Sequence, residues 1–277
     1  MVSRLNVHQL LRHVILASAS LIYLFPFLWM FLTSFKTQTD IFSAELSILP
    51  TVWTLENYRE ALTRVPMLRY LGNGLIVCLG IFAMQVIFCV PCAYALAKGR
   101  FRGRDGLFKA IVLALMIPYA ITAIPLYIAF YKIGLLNSYA ALIIPFVSSA
   151  FGIFLLRQHF VGVPDDLINA ARLDGIGEYR IVWKIMLPTA IPAISAFFIF
   201  SFVTHWNDYM WPLLVITDPA LATPPLGIIF FRTEEVGSVQ FGPLMAAAVL
   251  ITSPLIAVFL FAQRKFIEGM TLAGMKG

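Results

Sequence analysis

Six apolar runs, each close to the length of a membrane span, constrain this chain more than any other feature. They lie at about Val14–Phe35, Leu71–Ala97, Leu107–Tyr131, Leu135–Leu156, Thr189–Met210 and Phe241–Ala262. A helix needs about 20 predominantly apolar residues to cross the hydrocarbon core. Composition agrees: 60% of residues are hydrophobic and 12% charged, where a soluble domain is roughly half apolar and a quarter charged. The reading is an all-α, polytopic membrane protein with six transmembrane helices, organised as a single domain over residues 1–277. The first run is too long for a signal-peptide core and predicts a span. Pro91, Pro118, Pro125, Pro145, Pro192 and Pro254 fall inside spans, where neighbouring helices can satisfy the carbonyls a proline frees. Only residues 132–134 separate the third and fourth spans, which predicts a tight hairpin. The apolar run Trp211–Phe231 is broken by Asp218, Pro219, Pro224 and Pro225. It is read as a loop of about 211–240, not a span.

Orientation follows from the basic residues. With the N-terminus inside, 14 of the 20 lysines and arginines fall in inner segments, as the positive-inside rule requires. Both termini are then cytoplasmic, with a tail at 263–277, and the 211–240 loop is external. The pI near 9.3 is thereby a topology signal. The basic residues are dispersed and not interleaved with aromatics, so a nucleic-acid partner is not expected.

The longest polar interruption in the second half is Leu167–Pro188, LINAARLDGIGEYRIVWKIMLP. It reads as two short helices outside the bilayer, in a cytoplasmic loop of about 158–188. The first starts after Pro164, with Asp165 or Asp166 as candidate caps. Gly175 sits where a left-handed C-terminal residue is wanted. The second carries Tyr179, Val182, Trp183 and Met186 at i, i+3, i+4, i+7 as its predicted apolar stripe, and Pro188 is expected to end it.

This stretch resembles the EAA loop of binding-protein-dependent ABC importer permeases, in which Glu-Ala-Ala, three residues, Gly, nine residues and Ile-x-Leu-Pro recur. Ala170, Ala171, Gly175, Ile185, Leu187 and Pro188 fall at that spacing, and Asn169 stands in the Glu position. The basic turn Lys98–Gly106, the WNDYMWP and PPLGIIFF segments, GPLMAAAVLI and the GMTLAGMKG terminus are similar to the carbohydrate-uptake branch. The resemblance implies a type I importer permease fold in a bacterial or archaeal plasma (inner) membrane. It further implies a second homologous permease subunit, two ATPase subunits and an extracytoplasmic substrate-binding protein. Asn169, Ala170, Ala171, Asp174, Gly175, Ile185, Leu187 and Pro188 would then couple ATPase motion to the spans. ATP and Mg would sit on the ATPase partners, with no cofactor on this chain. The cargo implied is a carbohydrate or a carbohydrate derivative.

No catalytic chemistry is expected. His8, His13, His159 and His205 lack metal-ligand spacing, and no phosphate-cradling G-x-x-x-x-G-K-[ST] loop is present. Cys89-Val90-Pro91-Cys92 matches a C-x-x-C pattern, yet it lies within an apolar run and reads as packing beside a proline. His205, Asn207 and Asp208, near the outer end of the fifth span, are candidate substrate-pathway residues, because ionisable groups at membrane depth often mark a pathway. The alternative is that Trp206, Tyr209 and Trp211 form an interfacial aromatic belt, with Asp208 in water. Asn73 and Thr122 are further pathway candidates, and with Gln85, Ser148 and Ser149 are also suited to interhelical hydrogen bonds. An ion-coupled secondary transporter is the alternative function; it would need paired or relayed carboxylates within spans, and Asp208 alone lies near one.

Overall fold

A computed structural model describes residues 7–43, 45, 47–233 and 241–274, with side chains described for 9–43, 45, 47–229 and 241–261. All regular structure among the described residues is helical. In chain order the helices are α1 (Val7–Thr33), α2 (Gln38–Ile41), α3 (Glu56–Thr63), α4 (Met67–Lys98), α5 (Arg104–Ala114), α6 (Tyr119–Lys132) and α7 (Tyr139–Phe146, its last turn 3-10). There follow α8 (Ala150–Val161), α9 (Asp165–Leu173), α10 (Glu178–Thr189), α11 (Ile191–Trp206), α12 (Met210–Val215), α13 (Pro224–Thr233) and α14 (Phe241–Gly274).

Three helical stretches are long and apolar enough to cross a bilayer unbroken: Gln9–Thr33, Met67–Lys98 and Phe241–Phe261. The other three expected spans are bent: the third and fourth are helix pairs, and the fifth is α11, with the loop helix α10 angled against its start. α5 and α6 meet at 97°, α7 and α8 at 44°, and α10 and α11 at 80°. Spans expected to run on through kinks at their prolines are broken there instead, and local chemistry gives the reason. Pro118 precedes α6 with extended backbone (ψ 127°), and Ser149 precedes α8 with its hydroxyl accepting from Gly152 N–H. Each starts a new helix instead of continuing the old one. By contrast α4 runs through Pro91 without a break.

The chain forms two compact units. The first comprises residues 1–67 and 228–253. In it, the buried Asn57 amide donates to the carbonyls of Ser34 (2.9 Å) and Lys36 (2.8 Å), holding α3 to the end of α1. Along most of α1 the apolar side chains, such as Ile22 and Tyr23, are exposed, as suits a helix whose solvent is lipid or another chain.

The second unit, residues 68–227 and 254–277, holds the main core. Cys89, Val90, Ala93 and Leu96 of α4 pack with Ile153, Leu156 and Phe160 of α8 and Phe197 of α11. Ile168 and Ala171 of α9 and Ile181, Val182 and Met186 of α10 join the same cluster. The three cysteines are free. The third and fourth spans connect through residues 133–138, where Gly134 (φ 69°) and Asn137 (φ 54°) are left-handed. The 211–240 run contains α12, a 3-10 turn at Pro219–Leu221 and α13; residues 234–240 lie outside the described set. α14 is helical through Gly274; the side chains of the 263–277 tail lie outside the described residues.

Candidate functional site

α9 is a nine-residue amphipathic helix lying on the core. Ile168 and Ala171 are buried, and burial of the isoleucine alone is worth about 1.5–3 kcal/mol. The helix ends in a Schellman arrangement: Ile176 N–H donates to Ala171 O and Gly175 N–H to Arg172 O, both at 3.0 Å. Gly175 has φ 77°, the left-handed value its position predicted. At the other end the expected aspartate cap is replaced. Pro164 occupies the cap position, with no side-chain cap bond. The Asp165 carboxylate instead accepts from Lys98 Nζ at 2.6 Å, and Lys98 also donates to Val163 O at 2.6 Å. That lysine holds the Asp165 carboxyl below the usual carboxylate range.

A second clasp closes the C-terminal end. Arg172 Nε donates to Glu178 Oε1 at 2.7 Å, and Tyr94 OH donates to Glu178 Oε2 at 2.6 Å. Arg172 first, and then Tyr94, hold the Glu178 carboxyl below its ordinary range. α9 is thus tied to α4 at both ends, through Lys98 and Tyr94. Sequence reasoning missed both residues, because pairs 67 and 84 positions apart leave no trace in local periodicity. The outward side of α9 carries Asp166, Leu167, Ala170, Leu173 and Asp174, all exposed, with Leu173 89% accessible. Asn169 is also exposed, its Oδ1 3.5 Å from Arg172 Nη1.

α10 departs from the expected stripe. Ile181, Val182 and Met186 are buried, Trp183 is half-buried, and Tyr179 is 77% exposed. Val182–Met186 is a π-turn, and the extra residue it inserts rotates the buried face relative to a 3.6-residue stripe. Pro188 lies in the last turn of the helix, which ends one residue later at Thr189, ahead of the 80° bend into α11. A proline in a helix has no N–H to donate and crowds the carbonyl four residues back; the π-turn lies across that carbonyl, at Lys184, and opens the ladder for it. Ile185 and Leu187 are half-buried and Pro188 exposed.

The other candidates separate. His205 lines a cavity of about 370 Å³ with Gln85, Ser148, Ser149, Ser201 and Thr204, and with Phe146, Phe151, Phe200 and Tyr119 as aromatic walls. The cavity sits where the α5–α6 and α7–α8 pairs break, with residues 117 and 119 and residues 146 and 148–151 on its lining. Gln85 ties it together, donating to Phe146 O at 3.0 Å and accepting from Ser201 Oγ at 2.6 Å, with His205 Nε2 3.4 Å away. Asn73 is elsewhere: buried, it donates to Ala220 O and Ala222 O and accepts from Tyr139 OH at 2.6 Å, anchoring the 211–222 segment. Thr122 bonds back to Tyr119 O and Asn207 back to Val203 O. Asp208 accepts from Trp211 N–H at 3.3 Å. The belt alternative fails for two of its three members, since Trp206 and Trp211 are 1% and 0% exposed and Trp211 Nε1 donates to Ala141 O at 2.8 Å.

Comparison with known proteins accords with this arrangement. Residues 89–271 match the family model "Binding-protein-dependent transport system inner membrane component". The chain is 33% identical over 264 residues to the arabinooligosaccharides transport system permease protein AraQ of Halalkalibacterium halodurans, covering 94% of each. It is 33% identical over 277 residues to the sn-glycerol-3-phosphate transport system permease protein UgpE of Brucella abortus, covering 98% of each. Its fold aligns with TM-score 0.82 and 24% identity to a chain of a bacterial ABC transporter involved in the import of the acidic polysaccharide alginate, over 96% of this chain and 99% of that one. With a helix clasped onto the membrane bundle at the expected motif and relatives aligned end to end, the chain belongs to the binding-protein-dependent transport system inner membrane component family, as a permease subunit.

Proposed function

We propose that this chain forms one half of the pore of an ATP-driven importer and transmits ATPase motion through α9. The observation that carries this reading is the two-sided character of that helix. One face is fixed to the core by Ile168 and Ala171 and by the Lys98–Asp165 and Arg172–Glu178–Tyr94 clasps. The opposite face leaves Leu167 and Leu173 uncovered between Asp166 and Asp174. An apolar knob on a rigidly held helix is suited to enter a cleft on another subunit, and displacement of that helix moves α4 and α8 with it. Asn169, Ala170, Ala171, Asp174, Gly175, Ile185, Leu187 and Pro188 act as the coupling set. The partners are a second permease, two ATPase subunits that carry ATP and Mg, and an extracytoplasmic binding protein. Both termini lie in the cytoplasm.

The cargo is a carbohydrate or a carbohydrate derivative. The cavity at the helix breaks supports this, since hydroxyls and amides with aromatic walls suit polyhydroxyl ligands, and transporter sites form where helices are discontinuous. His205 belongs to that pathway; Asn73, Thr122, Asn207 and Asp208 shape the segments around it. Leu173→Asp tests the docking face. Because Leu173 is 89% exposed, the variant should insert normally yet lose co-purification with the ATPase subunits and most transport. Full transport by a well-expressed Leu173→Asp protein would refute the docking role.

A further inference from the structure

On the flank of α9 that carries Asp165, Asn169 and Arg172, a cavity of about 290 Å³ lies against the end of α4. Its polar lining is Lys98, Arg100, Arg104, Asp165, Asn169 and Arg172, so four positive charges face one negative. Asp105 and Glu178, which pair with Arg104 and Arg172, do not line it. The Lys98 side chain is only 9% exposed, and its two bonds, to Val163 O and Asp165, leave one of its three donors free. Arg100 forms no salt bridge with any described residue. A smaller hollow of about 230 Å³ along Gly99–Gly106 shares Arg100 and Arg104.

The position of the cavity narrows its ligand. Lys98 is the last residue of a stretch long and apolar enough to span a membrane, so the cavity lies at the polar end of that stretch, where headgroups meet a spanning helix. Guanidinium forks match phosphate oxygens two at a time, and basic pockets at the ends of membrane helices suit anionic headgroups. Asn169 matters here: a glutamate at this position would add a second carboxylate to the lining, whereas the amide leaves the cavity cationic. We propose that this cavity binds the phosphate of an anionic phospholipid headgroup, with Arg100 and Lys98 as its principal donors. The headgroup bridges the α4–α5 turn and α9, and so stiffens the joint that α9 must carry. This site is distinct from the outward Leu167 and Leu173 face of α9 and shares only Asn169 with the coupling set, and the inference stands whatever the cargo.

The test uses the assembled transporter in nanodiscs of phosphatidylcholine with and without phosphatidylglycerol, with retained lipids counted by native mass spectrometry. Wild type should retain phosphatidylglycerol in preference to phosphatidylcholine. Arg100→Gln, at an exposed and unpaired residue, and Asn169→Glu should each lose that preference. Arg59→Gln, on an exposed helix of the other unit, should keep it. Equal retention by wild type and both variants would overturn the proposal. So would displacement of the lipid by inorganic phosphate alone, which would make this a site for a free anion.

Discussion

At the scale of single residues, two glycines carry opposite burdens. Gly175 has φ 77° and open space around the position a Cβ would take. Its requirement is therefore for backbone conformation alone. Gly175→Val should cost about 1–3 kcal/mol locally. Substrate-stimulated ATPase of the assembled transporter should fall while membrane insertion persists, and Gly175→Asn should recover much of the loss because asparagine tolerates the left-handed region. Gly152 is the reverse case. It is helical, but a Cβ there would lie 2.2 Å from Phe197 Cζ, in a core where that ring is fully buried. Gly152→Ala should lower the thermal unfolding midpoint of the purified protein, through overpacking worth about 1–3 kcal/mol. An unchanged midpoint would mean that α8 and α11 separate more easily than their packing suggests.

At the scale of elements, the junction between α10 and α11 is where local reasoning went furthest astray. Gly175 was legible because a left-handed residue is a property of three or four neighbours. The rest of the loop depended on more. The Tyr179-Val182-Trp183-Met186 stripe assumes 3.6 residues per turn, and the π-turn at Val182–Met186 breaks that period, so that Ile181 takes the buried place given to Tyr179. Pro188 reads as a stop, and the helix does end at the next residue, Thr189, with an 80° bend into α11; what the sequence does not reveal is the π-turn that lets the proline sit inside the last turn. Lys98 and Tyr94 were not legible as clasps because their partners are remote in sequence, whereas Gln85 was legible as an interhelical hydrogen-bonding residue and only its partners were not. Pro188→Ala should let the π-turn relax to an ordinary helix and rotate α11 relative to α9. Basal ATPase should survive while its stimulation by substrate drops, and a variant indistinguishable from wild type in both would show that the π-turn has another cause.

At the scale of the whole molecule, the apolar runs were enough to read an all-helical membrane protein, and three of the six spans are unbroken helices. Depth and exposure were harder to read, because hydropathy reports what a segment dissolves in and not which neighbour covers it. Trp206 and Trp211 look like interfacial anchors and are buried under Ala141 and neighbouring aromatic rings. Ala222 lies mid-loop by sequence and is 0% exposed, its carbonyl held by Asn73. A thiol placed there would be occluded on either side of a membrane. The topology is better read at Pro219, which is exposed in the same segment, and at Leu173 on α9. By the positive-inside rule, the 14-to-6 distribution of basic residues predicts Pro219 outside and Leu173 inside. In a cysteine-free background, Pro219→Cys should react with a membrane-impermeant maleimide added to intact cells or spheroplasts. Leu173→Cys should react only after the membrane is opened, and more slowly when the ATPase subunits are present to cover it. The reverse pattern would invert the protein and leave α9 on the wrong side of the membrane for a cytoplasmic ATPase.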